Sequence, residues 1–225
     1  MKRTVILLIA VAALAVMIAA IGLNKNERST EDITGSATGE GHVSFRILSA
    51  CSIPLQQGWN LVSICSNMTN KTVKNALVDI DGEYRYVMEW NESSQEFIIY
   101  SPLAAGNPFD ELSENRSYFI YLLPLNRTMN TAGRLFDEMT LPLIFGWNAP
   151  IYPYDAEADI TRYLGQINGS YRYAMIWNSS SQKFLIYSPL AAENDFQNIS
   201  AGQGQFVYVS NESGATIKYN RSILG

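Results

Sequence analysis

YRYVMEWNESSQEFIIYSPLAA at residues 84–105 returns as YRYAMIWNSSSQKFLIYSPLAA at residues 171–192, and the fold class turns on how this pair is read. Tyr84, Tyr86, Met88 and Trp90 alternate with Arg85, Val87 and Glu89, and Tyr171, Tyr173, Met175 and Trp177 repeat the first set. A period of two is the mark of a β-strand, whose successive side chains point to opposite faces. A polar Asn-x-Ser-Ser-Gln stretch then turns the chain into a second apolar run, Phe97–Tyr100 or Phe184–Tyr187, so each copy centres on an aromatic hairpin.

The duplication extends outward from the hairpin. PLQQGWN at 54–60 matches PLIFGWN at 142–148, and Phe109, Phe119 and Tyr121 match Phe196, Phe206 and Tyr208, a period of 87 or 88 residues. That period is too long for a solenoid repeat, and each copy is large enough to fold as a small domain. Gly58–Ile64 reads as a strand, and Thr72–Ile80 as a short amphipathic helix carrying Val73, Ala76, Leu77 and Ile80. In the second copy Asp155 is a candidate cap for a helix presenting Ile160, Leu164 and Ile167. Tyr118–Leu123, Phe206–Ser210 and Thr216–Tyr219 complete the strands.

The expected architecture is therefore α+β or β-rich: an N-terminal transmembrane helix, then two tandem homologous modules, mostly antiparallel, each with one short helix. The boundaries are an anchor or signal segment at 1–23, a flexible linker at 24–41, and modules at 42–135 and 136–225.

GWNLVSI at 58–64, followed by a short helix, an aromatic hairpin and a closing aromatic strand, resembles the GWN-type repeat modules of secreted archaeal and bacterial cell-surface proteins, envelope and S-layer-associated. In that family the opening reads Gly-Trp-Asn-Leu-Val/Ile-Ser, then an apolar residue and proline. Gly58 to Ile64 match, but Cys65 stands at the proline position. The second copy keeps Gly146, Trp147 and Asn148 and departs at Ala149-Pro150-Ile151-Tyr152-Pro153. The family's Gly-Tyr-Trp on the closing strand is replaced by Ser117-Tyr118-Phe119 and Gln205-Phe206-Val207. The resemblance spans Cys51 to about Tyr219, implies an envelope or adhesion setting, and brings no catalytic residues.

The N-terminus points to the same compartment. Thr4–Leu23 is a run of twenty uncharged, mostly apolar residues after Lys2 and Arg3. Such a run spans about 30 Å as a helix, the hydrocarbon thickness of a bilayer. Its length favours an uncleaved anchor, while Ala20-Ile21-Gly22 is compatible with signal-peptide cleavage and a secreted product. Asn24–Gly41 lacks aromatics and reads as a spacer above the membrane.

Ten Asn-x-Ser/Thr triplets follow, with acceptors Asn67, Asn70, Asn91, Asn115, Asn126, Asn168, Asn178, Asn198, Asn211 and Asn220. Chance placement in this composition gives about two or three. Their clustering beyond residue 66 places the C-terminal bulk outside the cell. An oxidising exterior suits a Cys51–Cys65 disulfide, with buried free thiols as the alternative.

Candidates for chemistry are few. One histidine, His42, excludes most histidine-based metal sites and nucleophile activation, and a net charge of −5 gives no electrostatic reason to bind nucleic acid. Asp79-Ile80-Asp81-Gly82-Glu83 resembles the start of a calcium loop, but its counterpart Gln166-Ile167-Asn168-Gly169-Ser170 has no carboxylate and favours a tight turn. Glu89 and Glu96 flank the first hairpin as a possible acid/base pair; Ile176 and Lys183 replace them in copy two, so solvated hairpin charges are expected.

The aromatic residues read mainly as core, with Trp90 and Trp177 foremost among them; as a sugar-stacking site the choice falls on Tyr100, Tyr187, Tyr84 and Tyr171. The Tyr-Ser-Pro-Leu-Ala-Ala loops are the first choice for an exposed contact or the seam between modules. No catalytic residue, metal ligand or cofactor is expected. The leading function is a non-enzymatic structural or adhesion surface protein, partnered with the membrane and with envelope polysaccharide or other surface proteins. A carbohydrate-binding module comes next, and an envelope hydrolase last.

Overall fold

The computed structural model describes residues 50–221. The anchor and linker expected at 1–23 and 24–41 lie outside them. Among the described residues no helix is long and apolar enough to cross a membrane.

The chain is β-rich, antiparallel and built twice. In the first half, β1 (Ala50–Leu55) and β2 (Gly58–Ser63) precede a one-turn helix α1 (Val73–Ala76), a 3-10 turn at Val78–Ile80, and strands β3 (Tyr84–Asn91), β4 (Glu96–Tyr100), β5 (Ser117–Leu122) and β6 (Arg127–Ala132). The second half runs β7 (Glu138–Leu143), β8 (Gly146–Asn148), β9 (Ala158–Asp159), α2 (Ile160–Leu164), a 3-10 turn at Gly165–Ile167, β10 (Tyr171–Asn178), β11 (Lys183–Tyr187), β12 (Asn198–Ile199), β13 (Gln205–Val209) and β14 (Ala215–Asn220). The four-stranded sheets have the same order, β2-β5-β3-β4 and β8-β13-β10-β11, and each half adds a two-stranded ladder, β1–β6 and β7–β14. The ladder strands β1 and β7 alternate in burial but each contains a proline, Pro54 or Pro142, which argues against a strand, and β6 is mostly polar.

Each half has its own core on one face of its sheet. In the first, Val62, Val87, Tyr118, Ile120 and Leu122 pack under Ile53, Leu55 and Met129 of the ladder and Val73, Leu77 and Ile80 of the helical segment. The second mirrors it with Ala174, Ile176, Val207 and Val209 under Leu141, Leu143, Ile217, Ile160 and Leu164. Cys51 and Cys65 close a disulfide across the first core, their Cα atoms 5.8 Å apart.

Two details correct the sequence reading. The helix α2 is capped by Asp159, whose carboxylate accepts from the N–H groups of Thr161 and Arg162; Asp155 instead meets Arg221 at 3.1 Å. The strict alternation along β3 also breaks. A register shift between Tyr84 and Tyr86, repeated between Tyr171 and Tyr173, turns the first tyrosine of each strand onto the core face with Val87 or Ala174. A bulge adds one residue against the partner strand, so side chains on either side of it swap faces.

The other face of each sheet meets its duplicate. Phe119 lies 5.4 Å from Trp177, 6.0 Å from Phe184 and 6.1 Å from Phe206, and Trp90 lies 5.8 Å from Phe206, between ring centres. Phe119 and Phe206 are equivalent positions one period apart, so the halves pack about a pseudo-twofold relation on an aromatic layer.

Candidate functional site

The four tyrosines singled out for sugar stacking are not a surface platform. Tyr84, Tyr171 and Tyr187 are 3%, 5% and 5% exposed, and Tyr100 is half-buried against Phe109. Tyr84 bonds Tyr100 through their hydroxyls and Tyr171 bonds Tyr187, and burial pushes the phenols of Tyr84 and Tyr171 well above their ordinary range. Burial leaves Tyr84, Tyr171 and Tyr187 no open ring face to offer a ligand, and Tyr100 packs beside Tyr84 as a partly buried member of the first core. The loops after Tyr100 and Tyr187 are exposed at their tips, at Leu103 and Leu190, but they do not form the seam.

The seam is made by the Gly-Trp-Asn turns and the Asn-x-Ser-Ser-Gln hairpins. Asn91 and Asn178 each accept two backbone N–H bonds within their own hairpin, from Ser93 and Ser94 or Ser180 and Ser181. This winds the hairpin so that Gln95 and Gln182 sit at φ 56° and 53°, a left-handed conformation uncommon for residues other than glycine. Each glutamine reaches the opposite half: Gln182 engages the backbone of Trp59, and Gln95 that of Trp147. The indole N–H groups follow the same pattern, with Trp177 donating to the Trp59 carbonyl at 2.8 Å and Trp90 to the Trp147 carbonyl at 2.9 Å.

This exchange explains the Gly-Trp-Asn motif residue by residue. Gly58 and Gly146 have φ +92° and +103°, and a Cβ there would meet the opposing glutamine's Oε1 at 2.8 and 2.9 Å. Asn60 and Asn148 close the turn ahead of the strand, each accepting one N–H and donating to two carbonyls. The signal for the clamp was present in the sequence: Ser-Ser-Gln is identical in both copies, whereas its neighbours Glu92/Ser179 and Glu96/Lys183 differ.

Backbone pairing extends the seam symmetrically. Ser63 N–H donates to Gly202 and Gly204 N–H to Leu61, while Ile151 N–H donates to Asn115 and Ser117 N–H to Ala149. What lies beside these pairings differs between the two sides. On one side Arg116 donates to Glu89 Oε1 at 2.7 Å and to the Trp90 carbonyl at 2.8 Å, and pairs with Glu92 at 3.2 Å. Glu92 in turn accepts from the Ala149 backbone. Glu89 is 8% exposed and bonded by Arg116, so it is a buried partner of that guanidinium and not a solvated hairpin charge. Burial raises the carboxyls of Glu89 and Glu92, against the opposing pull of Arg116. On the other side the equivalent positions are Gln203, Ile176 and Ser179, and a cleft of about 320 Å³ remains between the halves.

A second feature is an outward aromatic face. Trp147 and Tyr208 lie 5.1 Å apart, with Tyr173 at 6.3 Å and Phe145 at 6.4 Å from Tyr208; Tyr173 is 41% and Phe145 50% exposed. In the first half Gln57 stands in the place of Phe145, and Trp59 is buried between Tyr86 and Tyr121.

The calcium-like segment is a turn: Gly82 and its counterpart Gly169 have φ +75° and +81°. Asp79 accepts from Asn130, and both Glu83 oxygens are held by Arg127. No group of three or more metal-ligating side chains occurs among the described residues.

Compared with known proteins, the chain matches no family model, no curated protein and no solved structure.

All ten acceptor asparagines fall among the described residues and none is buried. Asn60 and Asn148, which lie outside any acceptor triplet, are 1% and 0% exposed.

Proposed function

We propose that the chain is a membrane-anchored, N-glycosylated cell-surface protein with a structural or adhesive role and no catalytic activity. The observation that carries this reading is the sorting of asparagines: every acceptor reaches the surface, while the asparagines needed inside the fold lie outside acceptor triplets. The Cys51–Cys65 disulfide supports an oxidising exterior. The pseudo-twofold packing supports a mechanical role, because paired clamps join the two modules into one compact unit rather than beads on a string. Envelope polysaccharide or other surface proteins are the proposed partners. The GWN-type resemblance points the same way.

A second reading, carbohydrate binding, is favoured by the exposed Phe145, Trp147, Tyr173 and Tyr208 face, since flat rings bury the apolar faces of sugars. An envelope hydrolase ranks last, for want of a base–nucleophile pair among the described residues. The test is site-by-site glycan occupancy by mass spectrometry on protein from the native membrane fraction. Modification of most acceptors is expected. No modification, in a host that glycosylates other proteins, would remove the surface reading.

A further inference from the structure

The pseudo-twofold relation supplies an internal control for the seam. Two equivalent positions flank it, and one is plugged by Arg116 with Glu89 and Glu92. At the other, shorter and neutral side chains replace the plug: Gln203 for Arg116, Ser179 for Glu92 and Ile176 for Glu89. The sheet order and the four seam hydrogen bonds around both positions are equivalent, although β2 runs six residues and β8 three. Two of the three replacements, Ser179 and Gln203, line the cleft, whereas Ile176 is buried in the second core.

We infer that this open cleft is a binding site for a neutral polyhydroxylated ligand, a single hexose unit of a glycan. Its apolar lining includes Ile53, Leu61, Val62 and Leu185. Its rim carries amides and hydroxyls: Gln56, Asn178, Ser179 and Gln203. The Gln56 side chain, the Ser179 hydroxyl, the Asn178 Nδ2 and the Gln203 Nε2 are committed to no other residue among those described. A carboxylate, Glu157, reaches the lining Ser200 hydroxyl at 3.3 Å and is also held by Asn198. An apolar lining beside a ring of neutral donors suits the two sides of a pyranose, an apolar C–H face and a rim of hydroxyls. A cation is a poor fit, since the two carboxylates that hold Arg116 in the mirrored position are absent. An anion is no better, since the guanidinium is absent too.

The site deepens the adhesion reading by naming a ligand class, and rests on that reading only for where the sugar comes from. Asn178 is both a rim residue and a glycan acceptor, so the hexose comes either from the glycan on Asn178 itself or from another molecule.

The experiment uses the full-length protein in detergent micelles, made in a non-glycosylating host and in a glycosylating one. Methyl glycosides of glucose, galactose, mannose and N-acetylglucosamine are titrated while the backbone amides of Ser179 and Gln203 are followed by NMR. In the non-glycosylated protein at least one glycoside is expected to shift both amides saturably. Transplanting the plug as Ser179→Glu with Gln203→Arg is expected to weaken that binding about tenfold or more, equivalent to about 1.4 kcal/mol. The fold should be retained, because the Arg116–Glu92 pair that it copies is already accommodated on the mirrored side. Should the double variant fail to fold, Gln203→Ala alone is expected to weaken binding about threefold or more. Saturable binding in the non-glycosylated form that disappears in the glycosylated form and returns in Ser180→Ala, which removes the acceptor triplet and keeps Asn178, assigns the seat to the chain's own glycan. Binding in both forms assigns it to an external saccharide. No shift with any glycoside, or equal binding by the plugged variant, overturns the site. Neither result touches glycan occupancy, which tests the surface reading separately.

Discussion

Gln182 Oε1 accepts the Trp59 N–H at 2.9 Å while its Nε2 donates to the Trp59 carbonyl at 3.0 Å, so one side-chain amide holds both ends of a peptide residue in the other half of the chain. Gln95 grips Trp147 in the same way, at 2.9 Å for both bonds. Each amide stands in for a strand partner that β2 and β8 would otherwise lack at that residue. The two halves are thereby joined by backbone recognition as well as by ring packing.

Gln182→Ala removes three hydrogen bonds, two to Trp59 and one to the Ser179 carbonyl, and leaves the left-handed backbone in place. A loss of about 1–3 kcal/mol is expected in urea unfolding. Gln95→Ala should cost a similar amount by the pseudo-twofold relation. A loss below about 0.3 kcal/mol for both would mean that the clamps are incidental to the packing.

Phe119 is 1% exposed and touches Trp59, Phe97, Trp177, Phe184 and Phe206, which belong to both halves. Phe119→Ala is expected to cost about 3–5 kcal/mol. Fluorescence and circular dichroism should still report a single transition, because the layer it opens is shared. Tyr173→Ala, at an exposed ring, should stay within about 0.5 kcal/mol. Two separate transitions in wild type would contradict the packing described.

Reduction of Cys51–Cys65 releases a loop of sequence separation 14. The chain-entropy relation gives a stability loss of about 3 kcal/mol. Denaturant midpoints with and without reductant measure it, and identical midpoints would show that the bridge does not constrain the unfolded chain.

Alkaline pH should unfold the protein through its tyrosines. Burial raises the phenols of Tyr84, Tyr118, Tyr152, Tyr163 and Tyr171 well above the ordinary value of 10.0, and Tyr219 is pushed up to about 12. The folded state then holds these protons more tightly than the unfolded chain. Their contribution to stability is complete below about pH 10 and falls as pH rises through the folded values. Tyrosinate absorbance from these buried phenols should therefore appear together with loss of ellipticity. A single phase near pH 10 with the fold intact would mean that these rings are open to solvent.

Much of the architecture was legible in the sequence because it rests on local pattern or on repetition. The duplicated segments established two copies, and the period-two runs gave strands β3, β4, β10 and β11 nearly to the residue. The Asp-Gly and Asn-Gly pairs marked turns where glycine takes positive φ, and the cysteine spacing suited a short bridge. Ladder strands β1 and β7 were missed because Pro54 and Pro142 argue against a strand, and β6 because it is mostly polar.

The sequence by itself determined that the chain contains two β-rich copies with surface-directed asparagines, since a covalent repeat and a side-chain alternation are properties of the chain alone. Only the tertiary structure decided which aromatic ring serves which purpose. One bulge moved Tyr84 and Tyr171 from the face shared with Trp90 and Trp177 into the module cores, and the duplicate sheet covered the rings left behind. Whether a side chain is buried depends on what folds back over it. The open cleft is of the same kind: Gln203 and Ser179 look unremarkable in the sequence, and acquire a meaning only opposite Arg116 and Glu92 across the pseudo-twofold relation.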